Sequence, residues 1–348
     1  DLQKPQMMYR FLQGDVGSGK TVVSSIALYA NYLAGYQGAL MVPTEILARQ
    51  HYQTLQRFFK GTDVRIVLLT GSLSISQKER LYEELKSGVV DIVVGTHALF
   101  QKKVEYYNLG FVITDEQHRF GVNQRKALKN KGNQVDFLIM SATPIPRTLA
   151  ISMYGDMDVS TIKTKPAGRM PIQTQYIKGS SMKPILAHLK DYLAVGGQCY
   201  VICPLVDESE NLDVKSVSQV AEAMQKYFLN QYCVGLLHGQ MKDEDKDKVM
   251  NSFQKNDIQI LVSTTVVEVG VDVKNANMMV IYNAERFGMS QLHQLRGRIG
   301  RGDQQAYCYL MSSSSSKDAI DRLKYMEKSD DGFEISTYDL QMRGPGEV

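Results

Sequence analysis

"YRFLQGDVGSGKTVVSSIALYANYLAG", residues 9–35, is the stretch on which the fold turns. Tyr9–Gln13 is a short, mostly apolar run ahead of a glycine, the pattern of a buried strand. Thr21 to Gly35 is longer, carries alanine and leucine, and closes on glycine, the pattern of a helix. Between them "GDVGSGKT" (14–21) matches G-x-x-x-x-G-K-[ST] in the frame this motif requires, a strand before and a helix after. The residue types explain the chemistry. Gly14, Gly17 and Gly19 let successive backbone N–H groups turn inward around phosphate oxygens, with Ser18 inside the same loop. Lys20 supplies a point charge to the β- and γ-phosphates, and the Thr21 hydroxyl ligates Mg2+. The helix that follows aims its N-terminus at the anion. A chance glycine-rich turn is the bland alternative, and the Lys-Thr pair in its strand–helix frame argues against it.

Strands and helices alternate outward from this loop. "GALMVPT", "VRIVLLTG", "DIVVGTHAL", "LGFVITDE" and "DFLIMSAT" read as buried parallel strands, with "EILARQHYQTLQRFF" a helix among them. At "TKPAGRMPIQT" (164–174) two prolines and a glycine break the rhythm. It resumes with "QCYVICPLV", "CVGLLHG", "IQILVSTT" and "NMMVIYN" as strands, and "SVSQVAEAMQKYF" and "EDKDKVMNSFQK" as helices. The expectation is an α/β protein of two lobes with parallel sheets, residues 1–165 and 166–316. "SSSSS" (312–316) reads as a flexible link. Beyond it a short helix, "KDAIDRLKYMEKS", and an irregular stretch, "FEISTYDLQMRGPGEV", make 317–348 a short helical and irregular tail. No sequence repeat is evident.

"FVITDEQHRFG" (111–121) places Asp115 and Glu116 side by side at a strand end. Adjacent acids repel and are costly to desolvate. The phosphate loop supplies a reason for them, because the metal's second protein contact in such folds is an acid at the end of another strand. Asp115 fits that place. Mg2+ uses few carboxylates, so Glu116 is free to act as base or orienter for an attacking water. His118 reads either as a buried histidine or as a relay near the γ-phosphate. Late in the chain "RGRIGRG" (296–302) follows "MSQLHQL" on a predicted helix. A basic helix is often only a solvated face. Opposite a phosphate-binding lobe, Arg298 and Arg301, three apart on one helical face, can instead meet γ-phosphate charge in the transition state.

The 348 residues, 43% hydrophobic and 22% charged, suit two soluble domains rather than one core. A net charge of +3 is compatible with a nucleic-acid partner and equally with an ordinary charged surface. Cys199 and Cys203 stand four residues apart on one strand, about 13 Å. That is beyond disulfide reach and fits no zinc spacing. Cys233 and Cys308 are isolated, and all four cysteines are expected as small buried apolar residues in a reducing compartment. No apolar stretch is long enough to span a bilayer, so no membrane partner is expected. The opening "DLQKPQMMYRF" is no signal peptide and looks like mid-chain sequence, as in a fragment.

Taken in order, "GDVGSGKT", "PTEILARQH", "TGS", "GTHAL", "DEQH", "SATPIPR", "STTVVEVGVDV" and "QLRGRIGR" resemble the motif set of superfamily 2 helicases over nearly the whole chain. Closer in, "DEQHRFGVNQR", "SATPIPRTLA" and "DGFEISTYDLQMRGPGE" look like the RecG family of bacterial branch-migration helicases. The resemblance implies two RecA-like lobes that bind ATP and Mg2+. The first lobe would give Gly17, Gly19, Lys20, Thr21, Asp115 and Glu116. The second would give Gly270 and Asp272 near the ribose, with Arg298 and Arg301. Thr44, Thr96, His97, His238, Gly239 and Thr265 match positions that lie along the DNA track of such motors. Ser141 and Thr143 match the motif that couples the lobes, and Arg322 and Arg343 match part of a translocation hairpin. The implied activity is ATP-driven translocation on duplex or branched DNA at stalled forks and Holliday junctions. A monomer in the bacterial cytoplasm, associated with the nucleoid, is implied as well. The family's N-terminal wedge, its adenine-reading glutamine segment and the closing loop of its hairpin have no counterpart here, and Gln3 is no convincing substitute for that glutamine. Two rival readings stay in view. One is an Mfd-like motor that pushes RNA polymerase, whose family typically has Glu where Gln117 stands. The other is a nucleotide-switched DNA-binding module, against which Glu116 and the two arginines argue.

Overall fold

The computed structural model describes residues 1–115, 134–142, 157–164, 170–204, 210–229, 231–264, 273–300 and 304–343. The chain divides into two compact units, Asp1–Lys165 and Pro166–Val348. Unit one holds strands β1 (Tyr9–Gly14), β2 (Gln37–Met41), β3 (Ile66–Leu69), β4 (Ile92–Gly95), β5 (Leu109–Asp115), β6 (Asp136–Ser141) and β7 (Asp158–Ile162). They form one parallel sheet in the order β3-β4-β2-β5-β6-β1-β7. Its helices are α1 (Lys20–Leu33), α2 (Glu45–Phe58) and α3 (Ile75–Lys86). Successive residues of the strands serve opposite faces: Leu40, Val94 and Ile113 join one apolar cluster, and Met41, Val93 and Val112 the other. Both faces are covered, so the strands carry unbroken apolar runs rather than alternation. The helices start where a side chain can replace a missing partner. Thr44 Oγ1 accepts from Leu47 N at the head of α2, and Ser74 and Gln77 form a capping box at the head of α3.

Unit two repeats the frame with β8 (Gln173–Lys178), β9 (Cys199–Ile202), β10 (Val234–Leu237), β11 (Ile260–Ser263), β12 (Met278–Ile281) and β13 (Tyr307–Ser312). The parallel order is β10-β11-β9-β12-β13-β8. Its helices are α4 (Lys183–Ala194), α5 (Glu210–Tyr227), α6 (Asp243–Gln254), α7 (Met289–Arg296), α8 (Lys317–Lys328) and α9 (Gly332–Arg343). The likeness reaches single side chains. Gln37, opening β2, donates through Nε2 to Leu85 O at 3.0 Å and Val90 O at 2.7 Å. Gln198, just ahead of β9, donates through Nε2 to Phe253 O at 2.6 Å and Ile258 O at 2.7 Å. In both units the accepting carbonyls are five residues apart, spanning the turn from a helix to the next strand. The backbone N–H groups of these glutamines donate to Asn108 O and Asn275 O respectively. Two units without a visible sequence repeat thus share one solution for the carbonyls that a helix-to-strand turn buries.

Several expectations are corrected. "FEISTYDLQMR" is not irregular but forms α9. The serine run is ordered rather than a free link: Ser312 is buried at the end of β13, Ser314 N donates to Ser312 Oγ, and Ser316 Oγ caps α8 by accepting from Ala319 N. Short serine side chains compete for local backbone groups, and here they shape a turn and a cap. Of the cysteines, 199, 203 and 308 are buried, but Cys233 is exposed. Helices α3 and α4 and strands β7, β8 and β13 have no counterpart in the sequence reading; α3 buries only Leu85, and β7 and β8 hold no fully buried residue.

Candidate active site

Gly14 is the last residue of β1 and Lys20 the first of α1, so the phosphate loop joins the C-terminal edge of the sheet to a helix N-terminus. Gly17 at φ +81° and Gly19 at φ +97° lie in the left-handed region that favours glycine. Gly14 is needed for space instead, since a Cβ there would stand 2.5 Å from Ser18 Oγ. The Lys20 side chain folds back over the loop, 9% exposed, with Nζ donating to Gly14 O at 2.6 Å and Asp15 O at 3.0 Å. Ser18 Oγ is buried with no hydrogen-bond partner among the described residues. The first turn of α1 carries no acidic residue, which leaves its positive end open to an anion. An orphaned hydroxyl, a left-handed glycine cradle and a basic amine at a helix N-terminus fit the phosphates and Mg2+ of a nucleotide.

Asp115 closes β5, and the register sets it beside that loop. It pairs with Met140 of β6, and Met140 pairs with Leu12 of β1, two residues short of Gly14. Two strand spacings, about 10 Å, therefore separate the backbone of Asp115 from that of Leu12, two residues before the loop begins. The carboxylate has a partner that the sequence reading missed. His51 Nε2 lies 2.8 Å from Asp115 Oδ2. His51 is 8% exposed and shares the buried face of α2 with Leu47, Ala48 and Leu55. Its signal was a polar ring at helical spacing in an apolar stripe, inside "PTEILARQH". Among the described residues no three metal-ligating side chains cluster. A Mg2+ site built from one carboxylate, one hydroxyl and phosphate oxygens would make no such cluster.

Further expected residues gather at the same edge of this sheet. Thr44 follows β2 and caps α2, Thr96 follows β4, and His97 opens the short 3-10 turn His97–Phe100. Ser141 is buried at the end of β6. In unit two, His238 and Gly239 follow β10. Burial, and then the Lys246 charge, hold the His238 imidazole below the usual histidine range. Glu116, His118, Thr143, Thr265, Gly270, Asp272 and Arg301 lie outside the described residues.

The arginine segment differs from expectation. Helix α7 stops at Arg296, Gly297 caps it, and Gly300 turns at φ +70°. Arg298 therefore sits in a turn beyond the helix rather than on it. The arginine inside the helix was overlooked. Arg296 is 2% exposed and donates to Met326 O at 2.6 Å and Ser329 O at 2.9 Å, 3.4 Å from Asp330 Oδ1. It caps the C-terminal end of α8, where carbonyls lack helical partners. Arg322, on α8, donates to Glu285 O at 3.3 Å, and Arg343 ends α9.

Residues 3–151 match the DEAD/DEAH box helicase family, and residues 184–303 match the helicase conserved C-terminal domain. The chain is 54% identical over 347 residues to the ATP-dependent DNA helicase RecG of Bacillus subtilis (strain 168), covering 100% of this chain and 51% of that protein. The chain resembles the helicase domains of RecG proteins. Against RecG of Staphylococcus aureus (strain NCTC 8325 / PS 47) it is 53% identical over 348 residues, 100% of this chain and 50% of that protein. The chain thus spans about half the length of the curated relatives it matches. Among solved structures, RecG bound to a three-way DNA junction superposes with a TM-score of 0.86 at 46% identity, over 99% of this chain and 45% of that one. S. cerevisiae Dbp5 bound to RNA and ADP BeF3 superposes at 0.67 with 15% identity, over 99% of this chain and 85% of that one, a likeness of fold alone. The RecG-like sequence and the two parallel-sheet units together make the fold that of RecA-like helicase lobes.

Proposed function

We propose that this chain is the ATP-hydrolysing motor of a double-stranded DNA translocase that remodels stalled forks and Holliday junctions. The observation that carries the reading is the 54% identity to a RecG helicase along the whole chain. A solved RecG bound to a three-way junction supports a branched substrate. Gly14, Gly17, Ser18, Gly19 and Lys20 hold the phosphates, with Gly270 and Asp272 toward the ribose. Thr21 and Asp115 hold Mg2+, which when bound neutralises phosphate charge. Glu116 takes a proton from the attacking water, and Lys20, Arg298 and Arg301 offset the charge that develops on the γ-phosphate. Thr44, Thr96, His97, His238, Gly239 and Thr265 contact the DNA backbone, which positions a motor without reading sequence. Ser141, Thr143, Arg322 and Arg343 pass nucleotide state on to the DNA. The protein works as a monomer in the bacterial cytoplasm, at the nucleoid.

The test is ATP turnover with no DNA, with linear duplex, and with synthetic three- and four-way junctions. Turnover should rise with DNA, and most with junctions. Turnover that ignores every DNA would refute the motor reading.

A further inference from the structure

We infer that His51 is a positioning residue for Asp115, fixing which carboxylate oxygen is turned to Mg2+; the inference rests on the ATPase reading of this site. Helix α2 sends Leu47, Ala48 and Leu55 into the apolar core of unit one. His51 stands in the same buried stripe. A ring nitrogen buried there is unfavourable unless it finds a partner, and the partner is Asp115 Oδ2 at 2.8 Å. An ionised carboxylate only accepts, so the proton of this bond lies on Nε2. With Oδ2 engaged, the Asp115 side chain loses its freedom to rotate. Oδ1, which makes no hydrogen bond among the described residues, becomes the oxygen available to a metal.

The support behind His51 is itself fixed. Thr44 caps the helix, and Glu45, in its first turn, accepts from Ser72 N at 2.9 Å and Ser72 Oγ at 2.6 Å. Groups that orient a metal's ligands through such bonds are worth about 10–100-fold in metal affinity. A histidine that merely fills the core would have no such effect on the metal.

Binding of a fluorescent ATP analogue separates the two, measured once in EDTA and once across a Mg2+ titration. His51→Leu keeps the apolar packing and loses the donor, whereas His51→Gln places an amide N–H near the old Nε2. His51→Leu should bind the nucleotide in EDTA as the unaltered chain does. The Mg2+ concentration for half-maximal tightening should rise on the order of tenfold, with His51→Gln restoring most of the loss. An unchanged Mg2+ dependence in a His51→Leu variant that still binds in EDTA overturns the inference. Where His51→Leu does not fold, His51→Asn, whose amide is too short to reach, is read by the same criterion. If Mg2+ fails to tighten binding to the unaltered chain, it is the ATPase reading that falls.

Discussion

Asp115 and Glu116 are neighbours in sequence with different proposed tasks, and a single substitution tests the distinction. Asp115 is held by His51 at the end of β5, where a carboxylate can serve a metal. Glu116 is assigned to the attacking water. Glu116→Gln keeps size and polarity and removes the base. It should leave Mg·ATP binding near its original strength and lower kcat by about 10²-fold or more, the scale expected for a positioned base. Single-turnover hydrolysis beside equilibrium nucleotide binding checks this, and near-normal turnover with intact binding would show that Glu116 is not the base. Residue-level reading reached this acid pair because its neighbours are local. It failed at Cys233, whose exposure depends on what packs over the start of β10 rather than on the residues beside it.

At the scale of elements, the paired glutamines give a quantitative expectation. Gln37 makes two donor bonds and also accepts from Asn108 N, whereas Gln198 makes two donor bonds while its Oε1 is buried and unpartnered among the described residues. Leucine at either place removes the amide donor from two buried carbonyls; Leu85 O and Phe253 O keep backbone donors, so the main loss falls on Val90 O or Ile258 O, about 1–3 kcal/mol for a carbonyl left unsatisfied. Gln37→Leu strands Asn108 N as well, so it should destabilise its unit more than Gln198→Leu destabilises the other. Urea unfolding followed by hydrogen exchange in each unit measures both, and equal effects would contradict the difference in bonding. Arg296 belongs to the same scale, since one buried side chain closes the end of α8 from inside α7. A sequence scan for basic faces counts it as surface charge, because its carbonyl partners lie about thirty residues on.

For the whole molecule, the net charge of +3 is too small to drive strong non-specific binding by itself. Affinity for duplex DNA should come from local phosphate contacts and should fall steeply with salt as counterions are released. Fluorescence anisotropy with two unrelated duplexes, between 50 and 200 mM salt, should give the same affinity and the same slope for both, with a loss of about tenfold or more over that range. A clear preference for one sequence would mean that base edges are read.

How much of this was legible in the sequence follows from distance along the chain. The phosphate loop, the α/β class and the acid at the end of β5 are properties of short segments, where glycine conformation, hydrophobic runs and strand ends lie within a few residues of one another. These the sequence determined by itself. The His51–Asp115 pair, the Arg296 cap, the matched glutamines and the helix end that leaves Arg298 beyond α7 depend on which segments meet in space. Only the tertiary structure decided them, because a hydrogen bond across 64 residues, as between His51 and Asp115, leaves no periodicity in the chain and is selected by the register of a packed sheet.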